Sequence, residues 1–262
     1  MRRDYHIHPV VVKKPEAFPA FVEQAMAKGI GEICITDHMP LSISKAKDRT
    51  PAGMVREYCA RVRELAQEYG HRITIKCGIE IDYHPKFVGE IEDVLGEGEF
   101  DYILGSSHLH LFEKDTIRYT KNDFAKMALE NLGLAAESGM FHAAAHFDMY
   151  RFPYIRPEKY PFLPSEYDWQ THKGLIGDVL QAIGEKNMLL EINPHLAEHS
   201  GCLEDLYPQE PIARMALERN IRFCYGSDAH KPESVGVLLD QLEAHPVYGT
   251  ALHRWETEGF TK

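Results

Sequence analysis

Hydrophobic and polar positions follow two alternating periods along the chain. Short runs rich in β-branched and aromatic residues recur, and longer segments with a helical spacing of apolar positions separate them. The predicted strands cover residues 4–8, 32–37, 73–82, 102–108, 141–147, 188–193 and 222–227. The predicted helices cover residues 15–28, 51–69, 86–95, 122–138, 169–186, 211–219 and 234–243. This alternation predicts βα units built around a parallel sheet.

The length of the chain favours one domain. An α/β barrel has about 250 residues, and the chain has 262, so we expect a single domain over residues 1–262. Periodicity alone leaves open whether the predicted strands close into a barrel or form an open sheet. Residues 150–167 are rich in proline and aromatic residues, and we interpret them as a long loop over one end of the structure.

The net charge and the distribution of apolar residues argue against a nucleic-acid-binding protein and a membrane protein. The net charge is −11 with histidine neutral, so no basic surplus exists to bind nucleic acid or an anionic membrane by bulk charge. No run of about 18 apolar residues predicts a membrane span, and the first residues lack the apolar stretch of a signal peptide. The five cysteines form no Cys-x-x-Cys pair. We therefore expect a cytoplasmic protein, whose oligomeric state the sequence does not indicate.

Histidine and acidic residues concentrate at the carboxyl ends of the predicted strands. Alternate residues of a strand share a face, so the two imidazoles of His6 and His8 can reach one metal ion. The same parity pairs Asp228 with His230. Each such pair alone is weak, because an isolated His-x-His is more often a pair of surface or core histidines. Together they favour a closed barrel, since active sites of α/β barrels lie at this end of the strands.

The residue types at these strand ends predict a metal cluster. Imidazole and carboxylate without cysteine suit Zn, Mn or Fe. The eight candidate ligands are His6, His8, His38, Glu80, His108, His146, Asp228 and His230. They are too many for one tetrahedral ion, so we expect two or three divalent ions with a bridging carboxylate. Such a cluster makes the mouth of the barrel locally cationic and favours a small phosphorylated substrate.

These residues lie in stretches that resemble the PHP (polymerase and histidinol phosphatase) family of metal-dependent phosphoesterases, in its histidinol-phosphate phosphatase branch. The matching stretches are residues 4–8, 35–38, 78–82, 105–108, 145–148 and 226–232. The resemblance implies a distorted (β/α)7 barrel, TIM-like in form, with a trinuclear site.

The resemblance also implies how the ligands are shared among the ions. One ion would take His6, His8, Glu80 and Asp228, and another would take Glu80, His108 and His146. The third would take His38 and His230. Members of the family often have a further histidine for this third ion soon after the His-x-His. Residues 9–15 contain none, so that ion is weakly held, completed by water or phosphate, or missing.

Other residues are candidates for catalysis and substrate binding. The leaving oxygen needs a proton, which either a metal-bound water or a protonated histidine would supply, and His195 and His230 are equal candidates for that histidine. Asp37 precedes His38, and we expect it to support a ligand imidazole rather than to bind metal directly. Arg151 and Arg156 are candidates for binding phosphate, with a surface arginine packed over aromatic rings as an equal alternative. His84 shares the parity of Glu80 and is either substrate-facing, supporting a ligand, or on the surface.

The sequence predicts a phosphoric monoester hydrolase. The expected reaction, named by the resemblance, converts L-histidinol phosphate to L-histidinol, a step of histidine biosynthesis. The family's phosphatase branch often has Gly-Leu-Arg after strand six, whereas residues 194–199 of this chain contain no arginine. Two alternatives remain at this point: a PHP phosphoesterase acting on a nucleotide or a phosphodiester, and a non-catalytic metal-binding barrel.

Overall fold

Parallel strands form the centre of the protein. The computed structural model describes residues 1–39, 41–42, 49–51, 53–108, 111, 121–151 and 168–260. Within these residues the strands are β1 Arg2–Ile7, β2 Ile30–Ile35, β3 Thr74–Asp82, β4 Tyr102–Ser106, β5 Ala143–Ala144, β6 Leu189–Ile192 and β7 Phe223–Tyr225. They pair in chain order, β1 to β7, and each pair is parallel.

The sheet closes where the end of β1 meets the chain that follows β7. Asp228 N–H donates to the carbonyl of His6 at 2.7 Å, and His8 N–H donates to the carbonyl of Ala229 at 2.8 Å. These bonds join the first and last strands of the sheet at their carboxyl ends. The predicted (β/α)7 barrel is therefore confirmed, and closure brings residues 6–8 beside residues 228–230.

Helices follow the strands and bury one face against them. Their bounds are α1 Phe18–Ala27, α2 Val55–Tyr69, α3 Val88–Glu97, α4 Lys121–Ser138, α5 Lys173–Glu185, α6 His195–Ser200, α7 Glu210–Glu218, α8 Leu239–Ala244 and α9 Tyr248–Glu258. In α1 the buried residues are Phe18, Phe21, Val22 and Ala25, a helical stripe of spacing three and four. None of the helices in the described part of the chain is long and apolar enough to cross a membrane.

Four elements differ most from the sequence-based prediction, and one of them is the helix predicted over residues 234–243, where the α-helix begins only at Leu239. Strand β5 has two residues, whereas the prediction covered residues 141–147. The chain leaves the sheet early because His146 adopts a positive φ of 28°, which turns the backbone out of the extended conformation. Helices α6 and α9 were not predicted. Most of the predicted loop at residues 150–167 lies outside the described residues.

Candidate metal centre

The carboxyl ends of the strands supply a buried cluster of imidazoles and carboxylates. His6 lies near the end of β1 and His8 directly follows it. Strand β3 carries Glu80, and His38 and His108 follow β2 and β4. His146 follows β5, and Asp228 and His230 follow β7. All eight predicted metal ligands meet in one place, although their positions in the sequence extend from residue 6 to residue 230. Barrel closure explains the convergence, because parallel strands present their carboxyl ends at one mouth.

Glu80 lies at the centre of this cluster and faces two groups of imidazoles. Its Oε1 lies 2.9 Å from Nε2 of His146 and 3.6 Å from Nε2 of His108. Its Oε2 lies 2.8 Å from Nδ1 of His38 and 3.4 Å from Nε2 of His6. Because each oxygen faces a different set of nitrogens, this carboxylate has the geometry to bridge two ions.

Asp228 joins the same cluster from the opposite side. Its Oδ1 lies 3.3 Å from Nε2 of His8 and 3.6 Å from Nε2 of His6. Asp228 has a positive φ of 55°, a conformation that costs non-glycine residues roughly 1–3 kcal/mol and persists where the surrounding structure imposes it. The hydrogen bond from its backbone N–H to the carbonyl of His6 holds it in this conformation, and the carboxylate faces His6 and His8.

The donors of the cluster fit a divalent metal. Nε2 of His6 and both ring nitrogens of His8 are buried without a hydrogen-bond partner among the described residues. A buried polar atom without a partner is costly, and ligation to a cation satisfies it. Donor atoms that lie within 4.8 Å of one another form four groups, namely His8–His38–His230, His6–His8–Asp228, Glu80–His108–His146 and His195–Asp228–His230. Nitrogen and oxygen donors without sulfur suit Zn, Mn or Fe.

The electrostatics of the cluster keep its carboxylates ionised and one histidine neutral. Burial raises the pKa of Glu80, but the neighbouring imidazoles of His38, His108 and His6 outweigh it and hold that pKa well below the ordinary value. Burial lowers the pKa of His8 far below its usual range, and the imidazoles of His38 and His230 add to the effect. A neutral imidazole and an ionised carboxylate are the forms that bind metal.

Glu191 on β6 supports two of the metal-facing histidines, and the sequence analysis did not single it out. Its Oε1 lies 2.5 Å from Nδ1 of His6, and its Oε2 accepts the backbone N–H of His146 at 2.7 Å. The first contact leaves Nε2 of His6 to face the cluster. The second holds the strained backbone of His146. Gly226 is required beside it, because a Cβ there would collide with the Glu191 carboxylate and with Cβ of His6.

Two aspartates support other parts of the centre. Asp82 Oδ1 lies 2.7 Å from Nδ1 of His108, and this contact fixes the orientation of the His108 ring. Burial lowers the pKa of His108, but the carboxylates of Asp82 and Glu80 outweigh it and raise that pKa to about 10. Asp37 accepts the backbone N–H groups of Val10 and Val11, both at 2.9 Å. Val10 has a positive φ of 57°, so Asp37 stabilises the strained turn that follows His8. These contacts make Asp37 a positioning residue.

His195 and His230 line the open side of the cluster. Nδ1 of His195 lies 3.9 Å from Asp228 Oδ2, and Nδ1 of His230 lies 3.5 Å from Asp228 Oδ1. Their side chains are 30% and 39% exposed, whereas those of His6 and His8 are at most 1% exposed. Among the described residues of the cluster, these two imidazoles are therefore the most exposed to solvent.

The predicted substrate-binding residues do not all lie at this mouth. Arg151 is buried, with Nε 2.6 Å from Asp148 Oδ2 and Nη2 donating to the carbonyl of Leu206 at 2.6 Å. Its charge pairs with the buried Asp148, and its Nη2 donates to a buried backbone carbonyl. This position does not fit the phosphate contact predicted from the sequence. His84 is half-buried, and its Nδ1 accepts the backbone N–H of Lys86 at 3.2 Å, capping a short helix. Arg156 lies outside the described residues.

Comparisons with known proteins find similar chains over most of the length of this one. A "Probable histidinol-phosphatase" of Deinococcus radiodurans is 29% identical over 243 residues, 89% of this chain and 88% of that protein. The histidinol-phosphatase of Bacillus subtilis is 26% identical over 276 residues, 91% of this chain and 97% of that protein. The structure of a histidinol phosphate phosphatase from Lactococcus lactis, complexed with zinc, L-histidinol and phosphate, has a TM-score of 0.70 at 19% identity over 95% of this chain and 93% of that one.

The family model of the PHP domain matches residues 4–195. The match begins two residues before His6 and ends at His195, and it contains six of the eight predicted ligands. The remaining two, Asp228 and His230, meet the others through closure of the barrel. The chain belongs to the PHP domain family.

Proposed function

We propose that this protein is a metal-dependent phosphomonoesterase that hydrolyses L-histidinol phosphate to L-histidinol and inorganic phosphate. The observation that carries the proposal is the position of Glu80, whose two carboxylate oxygens face separate groups of imidazoles at 2.8–3.6 Å. The substrate follows from relatives named histidinol-phosphatase that are similar over most of their length.

Two groups of residues in the cluster would each hold one divalent ion, and we call these the inner ions. His6, His8 and Asp228 would hold one ion with Glu80 Oε2, and His108 and His146 would hold the other with Glu80 Oε1. Zinc fits these donors and accompanies the structure from Lactococcus lactis, and manganese or iron also suits them. When bound, such ions lower the pKa of a water molecule towards about 7 and neutralise the phosphoryl oxygens.

The protein's own residues position the ligand imidazoles and keep bulk water away from the inner donors. Glu191 and Asp82 fix the rings of His6 and His108 before substrate arrives, so little reorganisation is needed during reaction. Burial of His6, His8 and Glu80 keeps bulk water away from the inner donors. The substrate phosphate enters from the side of His195 and His230, the more exposed imidazoles of the cluster. Water supplies the oxygen that ends on phosphate, and the alcohol leaves with a proton.

The proposal is tested by measuring phosphate release from a panel of substrates. The protein is stripped with a chelator, reconstituted with zinc or manganese, and assayed with L-histidinol phosphate, nucleoside monophosphates and a phosphodiester. We expect release that the chelator abolishes and a kcat/KM highest for L-histidinol phosphate. Faster turnover of nucleotides would contradict the substrate. Absence of chelator-sensitive release from every ester would contradict the activity and support a non-catalytic barrel.

The five cysteines are free thiols, four of them buried, which suits a reducing compartment such as the cytoplasm. This placement belongs to the proposal. It is supported by the cysteines and by the biosynthetic reaction, and fractionation of the cells that make the protein tests it.

A further inference from the structure

Asn193 directly follows β6 and lies buried beside the metal centre. Its backbone is fixed by two hydrogen bonds to one residue. The N–H of Asn193 donates to the carbonyl of Tyr207 at 2.7 Å, and the carbonyl of Asn193 accepts the N–H of Tyr207 at 3.0 Å. The side chain of Asn193 is therefore held in one place before any ligand binds.

A hydrogen bond from α6 sets which way the side-chain amide of Asn193 points. The backbone N–H of His195 can only donate, and it lies 2.9 Å from Asn193 Oδ1, so this oxygen accepts it. The NH2 group therefore faces the other side, where it lies 3.1 Å from Glu191 Oε2 and 3.4 Å from Asp228 Oδ2. Its two hydrogens match these two carboxylate oxygens, one each.

This NH2 group separates two buried carboxylates. Glu191 lies in β6 and Asp228 follows β7, and one oxygen of each lies within 3.4 Å of the same nitrogen. Two buried carboxylates this close repel each other, and a donor that they share offsets part of the repulsion. Without that donor, the carboxylate of Asp228 would turn Oδ2 away from Glu191.

The two oxygens of Asp228 consequently have different surroundings. Oδ1 faces the ring nitrogens of His8 and His6 at 3.3 and 3.6 Å. Oδ2 faces Nδ2 of Asn193 at 3.4 Å, and Nδ1 of His195 is farther from it, at 3.9 Å. The carboxylate therefore offers one oxygen to the ion that His6 and His8 would hold.

We infer that Asn193 is a positioning residue that makes Asp228 a ligand through Oδ1 alone. The inference rests on the proposed function for the presence of the inner ions. Four side chains then supply one donor atom each to this ion, namely His6, His8, Glu80 and Asp228. A further position of the ion stays open for a phosphate oxygen. If Oδ2 were released, the carboxylate would bind the ion through both oxygens and occupy that position.

Two substitutions separate this role from simple support of α6. Asn193→Asp keeps the acceptor for the N–H of His195 and loses the donor, whereas Asn193→Leu loses both. Only the aspartate adds a charge, so an effect that both variants share comes from loss of the donor. Asn187→Asp is the matched control, because it adds the same charge at an exposed asparagine two residues before β6. Circular dichroism checks that each variant is folded.

The measurement is the dissociation constant of inorganic phosphate, obtained by calorimetry of the zinc-loaded proteins together with their zinc content. We expect the zinc content of wild type in every variant at saturating zinc. The dissociation constant of phosphate should rise at least about tenfold in both Asn193 variants and stay unchanged in Asn187→Asp. Crystals of zinc-loaded Asn193→Leu should show both oxygens of Asp228 bound to the ion.

Wild-type phosphate affinity in either Asn193 variant would overturn the inference, because the effect would then belong to the lost acceptor or to the added charge. A crystal structure of Asn193→Leu in which Asp228 still binds through Oδ1 alone would also overturn it. Wild type that binds zinc and phosphate but does not hydrolyse L-histidinol phosphate would contradict the proposed function and leave this inference standing. Wild type that binds no zinc would overturn both.

Discussion

Replacing Glu191 with glutamine tests whether support from β6 sets the metal affinity. The carboxylate faces three donors, which are Nδ1 of His6 at 2.5 Å, the backbone N–H of His146 at 2.7 Å and Nδ2 of Asn193 at 3.1 Å. Glutamine has the same shape but only one acceptor oxygen. In Glu191→Gln its NH2 group must therefore face either the backbone N–H of His146, where two donors meet, or Nδ1 of His6, which then accepts and leaves the proton on the metal-facing Nε2.

The magnitude follows from the bonds that are lost. A hydrogen bond to a charged group contributes about 1.5–3 kcal/mol, and losing the partner of a ligand histidine typically costs about 10–100-fold in metal affinity. We expect zinc affinity at the inner site to fall by that factor, equivalent to about 1.4–2.8 kcal/mol. The charge of the ligand set itself is unchanged, so kcat at saturating zinc should fall less than the affinity.

The assay is competition between the protein and a chromophoric zinc chelator. Glu185→Gln on α5 is the matched control, because Glu185 is exposed and remote from the centre, and we expect it to bind zinc as wild type does. A folded Glu191→Gln protein with wild-type zinc affinity would refute the reasoning that Glu191 prepares His6 for ligation.

Three further results are expected. Glu80→Gln should lower kcat by at least about 10³-fold, because loss of the bridging charge costs several kcal/mol of stabilisation, whereas wild-type turnover would remove the bridge from the mechanism. Arg151→Met should lower the free energy of unfolding in urea by about 3–5 kcal/mol, because it leaves the carboxylate of the buried Asp148 without its cation. The KM should change little. A large rise in KM with unchanged stability would instead support the predicted contact of Arg151 with phosphate. Zinc affinity of the stripped protein should rise at least about tenfold per pH unit between pH 6 and 8. Against the effect of burial, neighbouring carboxylates raise the pKa of His6 well above its usual value and the pKa of His108 to about 10, so zinc must displace protons that are easier to remove as the pH rises. Calorimetry in buffers of different ionisation enthalpy measures this proton release, and an affinity that does not change with pH would contradict it.

The metal-facing residues could be predicted from the sequence because the signal is local. His6 and His8, or Asp228 and His230, follow the period of two at the end of an apolar strand, and closure of a parallel barrel brings such ends together. Glu191 in β6 and Asn193 directly after it carry the same signal. Like Glu80 and Asp82, they are polar residues two positions apart in an apolar run, and all four side chains are buried. This pattern could have identified Glu191 and Asn193 as part of the centre.

Other features depend on contacts that the sequence does not show. Arg151 was a candidate for phosphate because arginines near an active site commonly bind it, but its partner Asp148 is only three residues earlier and takes it into the core. The early end of β5 follows from the backbone of His146, which is held by a carboxylate 45 residues away. The position of His195 beside Asp228 depends on the pairing of β6 with β7, which brings Nδ1 of His195 to 3.9 Å from Asp228 Oδ2.

The central claim is that distant imidazoles and carboxylates meet to hold clustered divalent ions. It is tested most directly by diffraction from crystals of the zinc-loaded protein, collected above and below the zinc absorption edge. The account predicts two anomalous peaks on either side of the Glu80 carboxylate, one beside His6, His8 and Asp228 and the other beside His108 and His146. Zinc-loaded crystals without anomalous density at Glu80, or with zinc bound only at surface histidines, would contradict it.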